Sequence, residues 1–234
     1  MFEKKSGIML LAGVGFFALA FLSNGLVPWL MYAKMPEKTV EETIEEQFAM
    51  PKADKTDVAK LRVHRVTIVG QFRLLAELYH ESFAKHYSEN WRKWTNEEWK
   101  QHTAAAVREG RKAYVAEGCW HCHSQFIRPV SNEEKRWGPV SKSWEYQNEL
   151  QRPVMFGTRR VGPDLSREGG RRSNDWHAAH FYRPRDTSPL SVMPDYPWFF
   201  DGDAGHPNRR GFAIIAYMQW LGSWQPTYPD YGQY

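Results

Sequence analysis

The chain has 234 residues, room for one ordinary domain with additions or for two small domains. Lys and Arg number 31 against 27 Asp and Glu, and the resulting +4 is too weak to mark a nucleic-acid binder. A mean hydropathy of −0.65 excludes a polytopic membrane protein, 11 Trp argue against disorder, and two cysteines exclude a disulfide-built scaffold.

The first element is apolar. No charge falls between Lys5 and Lys34, and Gly7–Tyr32 exceeds the roughly 20 residues that a spanning helix needs. Trp29 and Tyr32 stand where interfacial aromatics are expected. A cleaved export signal ending near Ala18-Leu19-Ala20 is the competing reading. It leaves the apolar run beyond Ala20 unexplained, so a retained anchor is expected. Lysines on both sides leave its orientation open by charge alone.

Residues 34–57 mix seven acids with four lysines and are punctuated by Pro36 and Pro51. They read as a solvated connector with a helical turn around Val40–Phe48. From Val58 to Tyr87 apolar residues recur at helical intervals, although Arg65–Gly70 is β-branched enough to be a short strand. Thr95 and Glu98 form a T-x-x-E capping box, which predicts a helix from Asn96 to Glu117 stopped by Gly118. Gly110 and Tyr114 share one of its faces. A proline-rich and glycine-rich middle follows. Ser173 with Asp175 predicts a short helix over Asn174–Tyr182, ended by Pro184. A long loop, Arg183–Pro207, leads to a last helix over Asn208–Leu221, closed by Gly222. The expected division is an anchor over 1–33, a connector and helical extension over 34–95, and a third domain over 96–234.

The chemistry sits at Cys119-Trp120-His121-Cys122-His123. C-x-x-C-H is the attachment signature of a c-type haem. Thiols three positions apart reach two vinyl groups on one side of a porphyrin, and the following histidine offers a ring nitrogen to the iron. A thiol redox pair needs a βαβ context that is missing here. Half a zinc site and a plain disulfide are the other readings. The adjacent His123, the export segment and the helix ending at Gly118 favour one covalently bound haem c on Cys119 and Cys122.

A six-coordinate haem needs a second ligand, and methionine raises the potential. Met155 lies in an arginine-rich loop and Met218 inside the last helix. Met193, in Ser191-Val192-Met193-Pro194 just before that helix, is the expected ligand, with Pro194 stiffening its loop. His177 and His180 stand three apart on a predicted helix and are read as structural or partner-facing; His121 is read as exposed. Residues 152–172 carry six arginines against Asp164 and Glu168, an excess equal to that of the whole chain. Arg159 and Arg160, beside Gly162-Pro163-Asp164-Leu165, are the candidates to pair with haem propionates. The remaining arginines are read as docking an acidic partner or as a solvated face.

GCWHCHSQFIRP (Gly118–Pro129), GTRRVGPDL (Gly157–Leu165), GGRRSNDWHAAH (Gly169–His180) and SVMPDYPW (Ser191–Trp198) occur in this order. Together they resemble the membrane-anchored monohaem cytochrome c subunit of cbb3-type cytochrome c oxidases, over about half the chain. The resemblance implies haem attachment at Cys119 and Cys122, with His123 and Met193 ligating the iron. It implies an all-α, cytochrome c-like fold with one N-terminal transmembrane helix, and a haem domain on the periplasmic side of a bacterial inner membrane. It further implies a chain that is no enzyme by itself. Its partners would be the catalytic haem-copper subunit, other cytochrome subunits, an electron-donor cytochrome and membrane lipid, with no nucleic acid. A nitric oxide reductase's cytochrome subunit has the same layout but resembles the SQFIRP and SVMPDYPW blocks less. A haem-stabilised assembly subunit, whose working part would be residues 34–96, and a metal or thiol-redox module are the readings from other classes.

Overall fold

The computed structural model describes residues 2–34, 37–49 and 67–223. Two compact units, Met1–Glu37 and Lys38–Tyr234, make up the chain. Among the described residues every regular element is helical, and sheet pairing is limited to isolated bridges, Lys38 with Asn148 and Phe200 with Pro207.

The first unit is α1 (Phe2–Phe21), a π-helical turn at Leu22–Leu26, and α2 (Val27–Tyr32). The stretch Ser6–Tyr32 is long and apolar enough to cross a membrane. Its π turn has an identifiable cause. Pro28 has no N–H to donate and its ring crowds the carbonyl four residues back, so the ladder slips by one residue. Ser23 Oγ donates to the Leu19 carbonyl at 2.8 Å, and Asn24 Nδ2 to that of Ala20 at 3.1 Å. Those bonds keep the slipped turn satisfied where lipid offers no donors.

The second unit begins with a correction. Residues Val40–Ala49 form a full helix, α3, rather than one turn in a solvated connector. Val40, Thr43 and Ile44 are buried on one face of it, the i, i+3, i+4 spacing of a core helix. Its start is a capping box: Thr39 N donates to Glu42 Oε2 at 2.6 Å, and Glu42 N to Thr39 Oγ1 at 3.2 Å. Arg108 fastens the outer face, donating from Nη1 to Glu41 at 2.6 Å and from Nε to Glu149 at 2.9 Å.

Val58, Leu61 and Arg65 lie outside the described residues. Beyond them the β-branched Thr67 and Ile68 do not extend into a strand. Thr67 caps α4 (Ile68–Leu78), accepting from Gly70 N at 3.1 Å, and α5 (His80–His86) follows after a break at Tyr79. An aromatic core forms where these helices meet the later ones. Phe83 makes edge contacts with Phe72 at 5.4 Å and with Phe212 at 5.2 Å, and stacks against Trp99 at 6.0 Å.

The organising pair is α6 (Asn96–Ala116) and the last helix, α11 (Arg209–Trp220). Thr95 and Glu98 make the expected capping box. Asn208 is the N-cap of α11 rather than its first residue, accepting from Arg210 N and Gly211 N. The helices cross at Gly110, where an added Cβ would lie 2.0 Å from the Ala213 carbonyl oxygen. Tyr114 and Tyr217 pack beside the crossing with ring centroids 5.5 Å apart. The other helices are α7 (Cys119–Cys122), α8 (Glu133–Trp137), α9 (Asn174–Tyr182) and α10 (Pro184–Thr187). Ser173 stands at the N-cap of α9, but its side chain makes no capping bond there. The expected loop Arg183–Pro207 contains α10 and a 3₁₀ turn at Pro197–Phe199.

Candidate haem site

Gly118, at φ +69°, turns the chain out of α6 and directly into the single turn of α7. Cys119 is buried, Cys122 is exposed, and the two thiols are not joined. Burial pushes the Cys119 thiol up to about 12. Among the described residues no group of three or more His, Cys, Asp or Glu is placed to hold a metal ion.

A loop within the arginine-rich segment is stitched to α7 through the backbone. Thr158 N and Arg159 N both donate to the His121 carbonyl, at 3.1 and 3.0 Å, and Gly162 N donates to that of Cys122 at 3.1 Å. His123 thereby meets Pro163, whose carbonyl oxygen lies 2.9 Å from Nδ1. A carbonyl only accepts, so Nδ1 carries the hydrogen and Nε2 keeps a bare lone pair. That is the arrangement in which a histidine is oriented for a metal by its other nitrogen. Burial lowers the pKa of the ring, which favours the neutral form that a metal needs. Gly162 packs flat on it: a Cβ there would fall 2.2 Å from Cε1. From α6, the Tyr114 hydroxyl donates to the His123 carbonyl at 3.1 Å.

Met193 is half-buried against the core, its N–H bonded to Ser191 Oγ at 3.2 Å. Tyr196, three residues on, lies within electrostatic reach of the Cys119 thiol, so the methionine loop lies near the cysteine helix. Met155 and Met218 are core residues. His121 is exposed, with Nδ1 2.9 Å from Thr158 Oγ1.

The arginines divide in a way that composition does not reveal. Arg159 is exposed. Arg160 is largely buried, held at φ +40°, against Glu133 and over the Trp137 ring. Its Nη2 donates to the Phe126 carbonyl at 2.7 Å and lies 3.5 Å from Asp164, while its Nε is buried without a partner. Arg167 is neither solvated nor free for docking. It makes a buried two-oxygen contact with Glu145, both distances 2.9 Å. Asp164 is buried as the hub of the same layer, accepting from Ser124 Oγ at 2.5 Å and from Phe126 N and Ser166 N at 2.9 Å each.

The motif alone did not point to two neighbours of the site. Tyr196 belongs to the SVMPDYPW block, yet only the fold brings it onto Cys119. His180 lies within electrostatic reach of His123, and burial pulls its pKa down to about 4. His177, three residues earlier, is fully buried with an unpartnered Nε2 and a pKa lowered to about 3 by the same cause.

These residues fit a c-type haem. Two unjoined thiols flank a turn, a neutral imidazole is oriented with its lone pair open, and a thioether loop lies alongside. Comparison with curated proteins gives no match. The family model for the cytochrome c oxidase mono-heme subunit/FixO matches residues 89–211, just over half of the chain and every motif from Cys119 to Met193. The chain therefore belongs to the family of mono-heme, electron-transferring subunits of cytochrome c oxidase, FixO.

Proposed function

We propose that this subunit passes electrons through one covalently bound haem c to the catalytic haem-copper subunit of a cbb3-type oxidase. The hydrogen bond from His123 Nδ1 to Pro163 O carries the reading, because it leaves one ring nitrogen poised for iron on a chain whose family is monohaem. In this reading Cys119 and Cys122 would hold the haem through thioether bonds, and His123 and Met193 would ligate its iron. Arg159 and the unpartnered Nε of Arg160 are offered to the propionates. The haem supplies a one-electron couple between ferric and ferrous iron. The protein needs no acid, base or nucleophile for that step. It tunes the couple through ligand choice, burial and charge. Gly162 and Pro163 would fix the imidazole.

Export of the haem domain follows from covalent attachment. The anchor Ser6–Tyr32 would hold the domain at the periplasmic face of the inner membrane, N-terminus inside. A donor cytochrome would reduce it there, and the catalytic subunit would reoxidise it. Stopped-flow spectroscopy of the purified complex tests this. The haem of this subunit should be reduced and reoxidised at least as fast as the complex turns over. A haem that keeps one oxidation state throughout turnover leaves it only a structural role.

A further inference from the structure

His180 shares with His123 a property that no other histidine of the site has. Thr187 Oγ1 donates its own hydrogen to the Pro184 carbonyl at 3.1 Å. Its oxygen is then left to accept, and it lies 2.6 Å from His180 Nδ1. Nδ1 therefore carries the hydrogen and Nε2 keeps a bare lone pair. The ring is also fixed in orientation. It stacks on Trp176 with centroids 4.5 Å apart and planes at 12°, and the Arg172 guanidinium lies over the Trp176 ring at 4.9 Å. Helix α9, which carries His180, is tied to the methionine loop by Tyr196 N, 2.9 Å from the Phe181 carbonyl oxygen. Tyr196 in turn lies within electrostatic reach of Cys119. His123 and His180 thus sit in each other's field, each anchored through Nδ1, each with an open Nε2.

We propose that His180 is a second imidazole donor of the haem pocket, able to take the sixth coordination position when Met193 leaves it. The inference rests on the haem reading above. The tautomer decides the chemistry. A bare Nε2 cannot donate to a propionate, but it can bind a Lewis acid. Little apolar burial holds the methionine loop in place: Leu190 is 96% exposed and Val192 75%. In the exchange His180 Nε2 would give its lone pair to the iron as the Met193 sulfur withdraws its own. Both ligands are neutral, so no proton or electron moves. Nitrogen in place of sulfur lowers the potential. It also keeps the iron closed to oxygen and to other small ligands.

The test uses the full chain in detergent. Met193→Ala should remain six-coordinate and low-spin, with the electron paramagnetic resonance and absorption signature of two imidazoles and a lowered potential. Met193→Ala/His180→Phe should become high-spin and bind one carbon monoxide per haem, and added imidazole should return it to low-spin. A high-spin Met193→Ala protein, or a double variant that stays low-spin, overturns the proposal. A pyridine haemochrome assay on the same samples separates the two levels. Covalent haem with a high-spin single variant overturns the exchange alone, and chains without covalent haem overturn the haem reading together with it.

Discussion

The indole Nε1–H of Trp220 donates to the hydroxyl of Thr43 at 3.1 Å, a buried bond between residues 177 positions apart. Thr43 Oγ1 donates onward to the Val40 carbonyl at 2.7 Å, so its oxygen is free to accept. The helix just after the anchor is thus locked to the last helix of the haem domain. Thr43→Val keeps the shape and leaves the indole N–H unsatisfied. A loss of about 1–3 kcal/mol is expected in chemical unfolding of the chain. An unchanged midpoint would mean that α3 is not part of the cooperative core.

This helix shows where the sequence was legible and where it was misleading. Charge density made residues 34–57 read as solvated. The apolar spacing of Val40, Thr43 and Ile44 and the T-x-x-E of Thr39 and Glu42 were present, but they are short signals among seven acids. The α6 boundaries, the Gly118 stop, the Gly110 crossing and the α9 limits were legible because caps and close approaches depend on local residue types. The fate of the arginines was not. Whether Arg160 and Arg167 face solvent depends on Glu133 and Glu145, distant in sequence and unmarked by any spacing. In the site the C-x-x-C-H motif was explicit. The neighbourhood of Tyr196 and His180 depends on how a loop and a helix return to it.

The Arg167–Glu145 pair is dry, with side chains 4% and 3% exposed. Glu145→Gln leaves a buried guanidinium without its counter-charge, a change that costs about 3–5 kcal/mol at buried pairs. The double change Glu145→Gln/Arg167→Met should recover most of that loss in thermal unfolding. If the single variant is as stable as the parent, water reaches the pair.

Glu168 is buried, and burial raises its pKa to about 7, with Arg171 and Arg172 only partly offsetting the effect. The folded state therefore holds a proton that the unfolded chain has already lost above pH 4.5. This contribution to stability is present at low pH and is lost as the pH rises through 7, up to about 3 kcal/mol in all. Glu168→Gln should be more stable than the parent at pH 8 and about equal to it at pH 4. Equal pH slopes for the two proteins would show that Glu168 is solvated.

Gly162 touches the His123 ring, so Gly162→Ala must displace the imidazole or the loop. Haem can still attach at both thiols, but the iron should show a raised high-spin fraction in its absorption spectrum. A fully low-spin Gly162→Ala protein would place the iron-binding nitrogen elsewhere.

The central claim is that Cys119 and Cys122 carry one haem covalently. The pyridine haemochrome spectrum of the chain purified from membranes, after extraction with acidified acetone, tests it most directly. One c-type haem per chain should survive extraction, and Cys122→Ser should shift the band in the way that loss of one thioether bond does. Haem extracted quantitatively from the parent protein, or a chain purified without haem, would contradict the account.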